Sequence, residues 1–233
     1  MKYNLVCIHG NSQGPQVFDN FEVEGCQKIL VTLPGHDGRK IGTIKSWLDL
    51  VDAVYHDIKD IDNAVIVGLS LGGHVAQHLL DRINPVALFS VAAPPLSDMP
   101  SVTKAFDPHP FLGYLFQNNI NSMQANELAR SMLKDNHPRI EELSEMILRT
   151  TPEIRGIVGA SMTRGEFKNE VDLLKKYKGK KILVYPTKDN FISENYIKSL
   201  NIAPVKDIHG AHALPMDNAK ELSSFIRMVM FGS

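Results

Sequence analysis

Along this chain, short apolar runs alternate with longer stretches of helical period. Residues 4–8, 28–33, 64–67, 85–91, 181–185 and 205–208 read as strands. Each is short, most are apolar nearly throughout, and each is closed by Gly, Pro or a polar turn. Residues 43–59 place Ile44, Trp47, Leu48, Val51, Val54 and Ile58 at helical spacing, with Thr43 as N-cap and Trp47 as core. Residues 71–82 bring Val75, Ala76, Leu79 and Leu80 to one face. Residues 218–230 do the same with Leu222, Phe225, Ile226 and Val229. A shorter helix is expected at 16–21. Strands alternating with helices imply an α/β protein, its parallel sheet covered on both faces.

Between residues 91 and 181 the pattern changes, and no strand is expected. Helices are expected at 122–135 (Leu128, Met132, Leu133) and at 138–149 (Ile140, Leu143, Ile147). A third opens on Thr151-Pro152-Glu153, an N-cap, an N1 proline and an acidic first turn. Ahead of them lies an aromatic cluster, Phe106, Phe111, Tyr114 and Phe116. The division expected is a core of residues 1–94 and 167–233 with a helical cap at 95–166, whose aromatic cluster lines a substrate site. His109 and His137, each beside a proline, read as loop residues.

Composition narrows the picture. Lys plus Arg total 25 and Asp plus Glu 26, a balance that gives no reason to expect nucleic acid or an anionic surface as partner. No apolar run approaches the ~20 residues of a membrane span. The first residues, MKYNLVCIHG, lack the long apolar region of a signal peptide. Cys7 reads as strand packing, and with Cys26 makes no disulfide framework. A cytoplasmic protein without cofactor or metal, acting on a small molecule, is the expectation; the end at Gly232-Ser233 reads as frayed.

Three loops at the carboxyl ends of strands carry the candidate chemistry. Gly68-Leu69-Ser70-Leu71-Gly72 fits G-x-S-x-G between a strand and a helix. A serine on so sharp a turn is strained, and its neighbours two before and two after must lack bulk. His9-Gly10-Asn11 follows the first strand, where the amide of Asn11 is placed to help bind an oxyanion; the plainer alternative is a glycine-shaped turn. His9 reads as a histidine bonded to backbone, and His36 as a turn residue held between Gly35 and Gly38. Asp189 and His212 each follow a late strand, giving the chain order Ser70, Asp189, His212. Asp98, Asp107 and Glu194 are rival acids.

In these motifs the chain resembles the α/β-hydrolase family over nearly its full length. His9-Gly10-Asn11 is similar to the family's oxyanion loop. Leu33-Pro34-Gly35-His36-Asp37-Gly38 is similar to its D-x-x-G-x-G loop, with Leu33 where Asp is common. Thr187-Lys188-Asp189 is similar to its acid loop, with Thr187 for glycine, and Gly210-Ala211-His212 to its histidine loop, with Ala211 for the second glycine. The resemblance implies a mostly parallel sheet of about six strands, the family's first two being absent. It also implies a Ser70–Asp189–His212 triad, with Asn11 and Leu71 amides as oxyanion hole. The function expected is hydrolysis of uncharged, short-to-medium carboxylic esters through an acyl-enzyme. A carbon–carbon bond hydrolase or lyase, or a small-molecule receptor that retains the triad, are the alternatives.

Overall fold

A computed structural model describes residues 2–134 and 136–232. Its six strands are β1 (Tyr3–Ile8), β2 (Cys26–Val31), β3 (Ala64–Leu69), β4 (Ala87–Val91), β5 (Lys180–Pro186) and β6 (Val205–Ile208). They form one sheet in the order β2-β1-β3-β4-β5-β6, and every neighbouring pair is parallel. The chain steps from β1 outward to β2, then crosses back to β3 and continues the other way. The crevice at such a reversal lies beyond the carboxyl ends of β1 and β3, where parallel sheets hold their ligands. Ile8 pairs with Gly68, and Leu69 with Val91, so the loops after β1, β3 and β4 emerge level with one another.

β3 is buried from end to end, as a central strand covered on both faces must be. Successive β4 residues show the two covering layers. Ser90 Oγ accepts from Gln77 of α2 (Leu71–His78) at 2.8 Å, while the Phe89 ring meets Phe225 of the C-terminal helix edge-on at 6.2 Å. Neighbouring strand residues point to opposite faces, so the two helices lie on opposite sides of the sheet. Cys7 is packed inside β1, and burial pushes its thiol well above the usual range.

The helix expected from residue 43 starts later, as α1 (Trp47–Ile58). Ser46, not Thr43, is its N-cap: Ser46 Oγ accepts from the Asp49 N–H at 3.2 Å, and Asp49 accepts from the Lys45 N–H at 2.9 Å. The two bonds close the helix end and leave residues 43–45 outside the helix. The helix expected at 16–21 is a single 3-10 turn, Pro15–Phe18.

Between β4 and β5 lie α3 (Met99–Ala105), a 3-10 turn (Leu112–Phe116), α4 (Ser122–Met132), α5 (Ile140–Arg149), α6 (Pro152–Thr163) and α7 (Glu170–Lys176). α4 stops at Met132; of the helix expected to 135, Leu133 and Lys134 lie beyond its end and Asp135 lies outside the described residues. Arg155, 2% exposed, ties this region together by donating to the carbonyls of Gln117, Asn118, Ile147 and Thr150. An isolated antiparallel bridge, Phe106 to Ile192, joins the chain after α3 to the loop after β5.

α3, α7, α8 (Glu194–Ser199) and α9 (Leu214–Asp217) span two turns or fewer, too short for an apolar period to show. The final helix, α10 (Ala219–Phe231), ends on Gly232 in the left-handed conformation (φ 75°), whose N–H bonds to the Met228 carbonyl at 2.8 Å. Gly232 is thus a helix cap rather than a frayed end, and Ser233 lies outside the described residues. No described helix is long and apolar enough to cross a membrane.

Candidate active site

Ser70 stands between β3 and α2 with φ 51° and ψ −118°, strained for a residue with a Cβ. Its N–H donates to the Val91 carbonyl at 2.8 Å, and its carbonyl accepts from Gly73 at 2.8 Å and His74 at 3.1 Å. The glycines explain how the turn closes. A Cβ on Gly68 would lie 2.4 Å from the Gly72 carbonyl oxygen, and one on Gly72 would lie 2.2 Å from that of Ile8. No side chain fits at either place, so the serine is lifted, half-buried, to the head of α2.

Asp189 and His212 come from the loops after β5 and β6. Asp189 Oδ2 accepts from His212 Nδ1 at 2.8 Å. Its Oδ1 accepts from the N–H groups of Phe191 (2.8 Å) and Ile192 (3.3 Å), which fix the carboxylate's orientation. Phe191 packs edge-on against the His212 ring at 5.1 Å. With Nδ1–H committed to Asp189, Nε2 of His212 is left as an acceptor; it is buried and has no hydrogen-bond partner among the described residues. The rival acids lie elsewhere: Asp98 caps α3, Glu194 pairs with Lys198, and Asp107 is exposed.

The loop after β1 is held by two buried histidines. His9 Nδ1 bonds to the Gly10 carbonyl (2.9 Å), and its Nε2 accepts from the Leu33 N–H (3.0 Å). His36 repeats the arrangement between the Pro34 carbonyl (3.0 Å) and the Ser12 N–H (3.1 Å). Burial pulls His9 down to about 4; burial, aided by the nearby His9, pulls His36 down to about 3. Each ring is therefore a neutral clamp, one nitrogen donating and the other accepting. Asn11, between the clamped Gly10 and Ser12, donates through Nδ2 to the Leu115 carbonyl at 2.7 Å.

Asn11, Ser70, Leu71 and His212 all line one pocket, so the structure brings the predicted catalytic and oxyanion residues together. Its volume is small, about 30 Å³. Of the four aromatics expected there, Phe106 and Phe116 line it. Phe111 and Tyr114 do not: they stack on each other, ring centroids 5.7 Å apart, outside the lining. The cause is the 3-10 turn, in which residues three apart share a face. Leu112 and Leu115 take the pocket side, and Phe111 and Tyr114 the other. His109 is a loop residue, as expected, packed edge-on against Phe191 at 4.9 Å.

The pocket also holds Trp47 and His74, which the periodicity placed in core and helix. His74 is one helical turn from Ser70, a spacing visible in the sequence. Its partner Glu170, 96 residues away, was not visible. Among the described residues, no group of three or more His, Cys, Asp or Glu is arranged to hold a metal ion.

A six-stranded parallel sheet with a serine on a strained strand-to-helix turn, facing an Asp–His pair, defines a class of fold. Residues 5–223 match the family described as "Alpha/beta hydrolase family". The chain belongs to that family. No curated protein sequence matches it. Among solved structures, it is similar to N-acyl homoserine lactonase AidH complexed with N-butanoyl homoserine (TM-score 0.88, 20% identity, 99% of this chain and 89% of that one). It is also similar to an esterase from Exiguobacterium antarcticum (TM-score 0.76, 14% identity, 99% and 92%). A thermophilic esterase from Thermogutta terrifontis, malate bound, is a third (TM-score 0.75, 17% identity, 99% and 90%). At these identities the likeness is one of fold.

Proposed function

We propose that this protein is a serine hydrolase of short, uncharged carboxylic esters, lactones included. The observation that carries the reading is the His212–Asp189 bond of 2.8 Å at the wall of the pocket that Ser70 enters. A serine hydroxyl is a poor nucleophile and needs a base. In the reaction proposed, Nε2 of His212 takes the Ser70 proton as Oγ bonds to the ester carbonyl carbon, and returns it to the leaving alkoxide. Asp189 holds the imidazole tautomer and stabilises the imidazolium. Water then attacks the acyl-enzyme by the same route and frees the acid. Leu71 opens α2, so its N–H has no intrahelical acceptor; with the Asn11 N–H it is assigned to the developing oxyanion, worth roughly 3 kcal/mol per donor.

Residues 95–166 are assigned as the cap over this site. Phe106 before the 3-10 turn, Leu112, Leu115 and Phe116 within it, and Val158 and Met162 of α6 supply most of the apolar wall. A cavity of about 30 Å³ holds little more than two waters, which favours short acyl groups. The esterases and the lactonase of like fold support the ester class. The test is labelling with a p-nitrophenyl organophosphonate, read by peptide mass spectrometry. Ser70 is expected to carry the adduct, and Ser70→Ala to lose both adduct and turnover of p-nitrophenyl acetate while keeping its melting temperature. An adduct elsewhere, or an active Ser70→Ala protein, would sink the reading.

A further inference from the structure

Two residues of the pocket lining, Trp47 and His74, carry polar groups that the proposed reaction does not use. Trp47 is fully buried, yet its indole Nε1–H has no acceptor among the described residues. A buried tryptophan N–H ordinarily finds a partner, and one left without an acceptor is costly. Edge-on to this indole, at 5.7 Å, stands the ring of His74, whose backbone N–H donates to the Ser70 carbonyl. Both residues line the pocket.

His74 is fixed from behind. Its Nδ1 lies 2.9 Å from Glu170, which is fully buried and also accepts from the Leu96 N–H at 2.7 Å. His78 Nε2 accepts from the Lys168 N–H, so its Nδ1 carries the proton. That proton points to the His74 carbonyl (2.8 Å) with Glu170 at 3.1 Å. Burial alone would raise Glu170, but its contacts with His74 and His78 hold it down at about 2. Glu170 is thus a carboxylate, and His74 keeps its Nδ1 proton and its orientation, leaving Nε2 without a protein partner among the described residues.

Resting on the ester-hydrolase reading, we propose that Trp47 Nε1–H, beside His74 in the pocket lining, forms a polar subsite for a second, neutral acceptor oxygen of the substrate. That oxygen is a keto or amide carbonyl a few bonds from the ester, which excludes plain alkyl esters as the preferred substrates. The acceptor answers the unpaired indole N–H. Neutrality follows from charge: no Lys or Arg lines the pocket, and two buried carboxylates already stand behind its lining, Glu170 behind His74 and Asp189 behind His212. A substrate carboxylate would add a third anion to this enclosed space without a cation of its own. Closeness to the ester follows from the pocket's size and from His74 lying one turn from Ser70.

Trp47 is the chain's one tryptophan, so its indole N–H gives a single resonance. In ¹⁵N-labelled Ser70→Ala protein, which is expected to bind without turnover, three matched ligands are titrated: ethyl acetoacetate, ethyl butanoate and monoethyl succinate. The expected result is that ethyl acetoacetate binds about tenfold tighter than the other two and moves the indole resonance downfield. Adding Trp47→Phe should bring the keto ester level with ethyl butanoate by calorimetry. Equal binding of the keto and alkyl esters, tightest binding of the carboxylate, no binding of the keto ester, or an unmoved indole resonance at saturation would each overturn the subsite. Because binding is read without catalysis, the outcome is separate from that of the organophosphonate experiment.

Discussion

Ser12 donates its backbone N–H to Nε2 of His36 across 3.1 Å, and the ring can receive that bond only while Nε2 is unprotonated. His9 is under the same constraint through the Leu33 N–H. The loop bearing Asn11 is therefore held by two imidazoles that must stay neutral.

A dependence of stability on pH follows, with a definite sign. In the unfolded chain both histidines take up a proton near 6.5; folded, burial first of all holds His9 at about 4 and His36 at about 3. The unfolded state binds more protons below pH 6.5, so their contribution is complete above 6.5 and is lost as pH falls toward 4 and 3. At roughly 1.4 kcal/mol per pH unit, each ring accounts for a loss of about 3 kcal/mol by pH 4. Glu170, held at about 2 against an ordinary 4.5, adds its own loss only below pH 4.5. The melting temperature is expected to drop between pH 7 and pH 5, before the carboxylates titrate. A flat profile over that interval would show that the rings are not neutral clamps.

Gly72→Ala is expected to cost 3 kcal/mol or so, or to prevent folding, since its Cβ would meet the carbonyl oxygens of Ile8 and His9 at 2.2 and 2.5 Å. Gly113→Ala, with nothing within 4 Å of the added carbon, should stay within about 0.5 kcal/mol of the parent. Urea unfolding of the two variants compares them directly; equal stabilities would contradict the close approach of α2 to β1.

Asp189→Asn preserves the shape of the His212 contact but turns an acceptor toward the wrong tautomer, and turnover should fall by up to about 10⁴. Asp98→Asn keeps an N-cap of equal strength and should leave turnover near the parent value, as should Glu194→Gln, which loses only an exposed ion pair. Steady-state rates on p-nitrophenyl acetate decide. An active Asp189→Asn beside an inactive Asp98→Asn would reassign the acid.

The two faces of the 3-10 turn can be told apart by substrate. Phe116→Ala enlarges the pocket and should shift preference toward longer acyl chains, each added methylene gaining up to about 0.8 kcal/mol. Phe111→Ala, outside the lining, should lower the melting temperature without changing the order of substrates. A p-nitrophenyl ester series from acetate to octanoate reads both, and a changed order in Phe111→Ala would argue for a different arrangement of the proposed cap.

Strands, elbow and chain order were legible because each is written in neighbouring residues. The apolar run before Gly68 is a buried strand wherever it folds, and two glycines flanking Ser70 answer a steric need within five residues. Asp189 and His212 were read as candidates the same way, each just past a strand. What lay beyond the sequence depended on groups far apart in it. Trp47 satisfies a helical stripe whether its ring meets core or pocket, and only the arrival of α2 puts it beside His74 and Ser70. Glu170 is an unremarkable acid until the fold brings it 2.9 Å from a histidine 96 residues earlier. Phe111 and Tyr114 read as lining because an aromatic cluster shows hydrophobicity but not direction; the backbone of the 3-10 turn chose Leu112 and Leu115 instead. Local sterics and apolar period are properties of a segment, whereas the partner of a buried polar atom is a property of the packed whole.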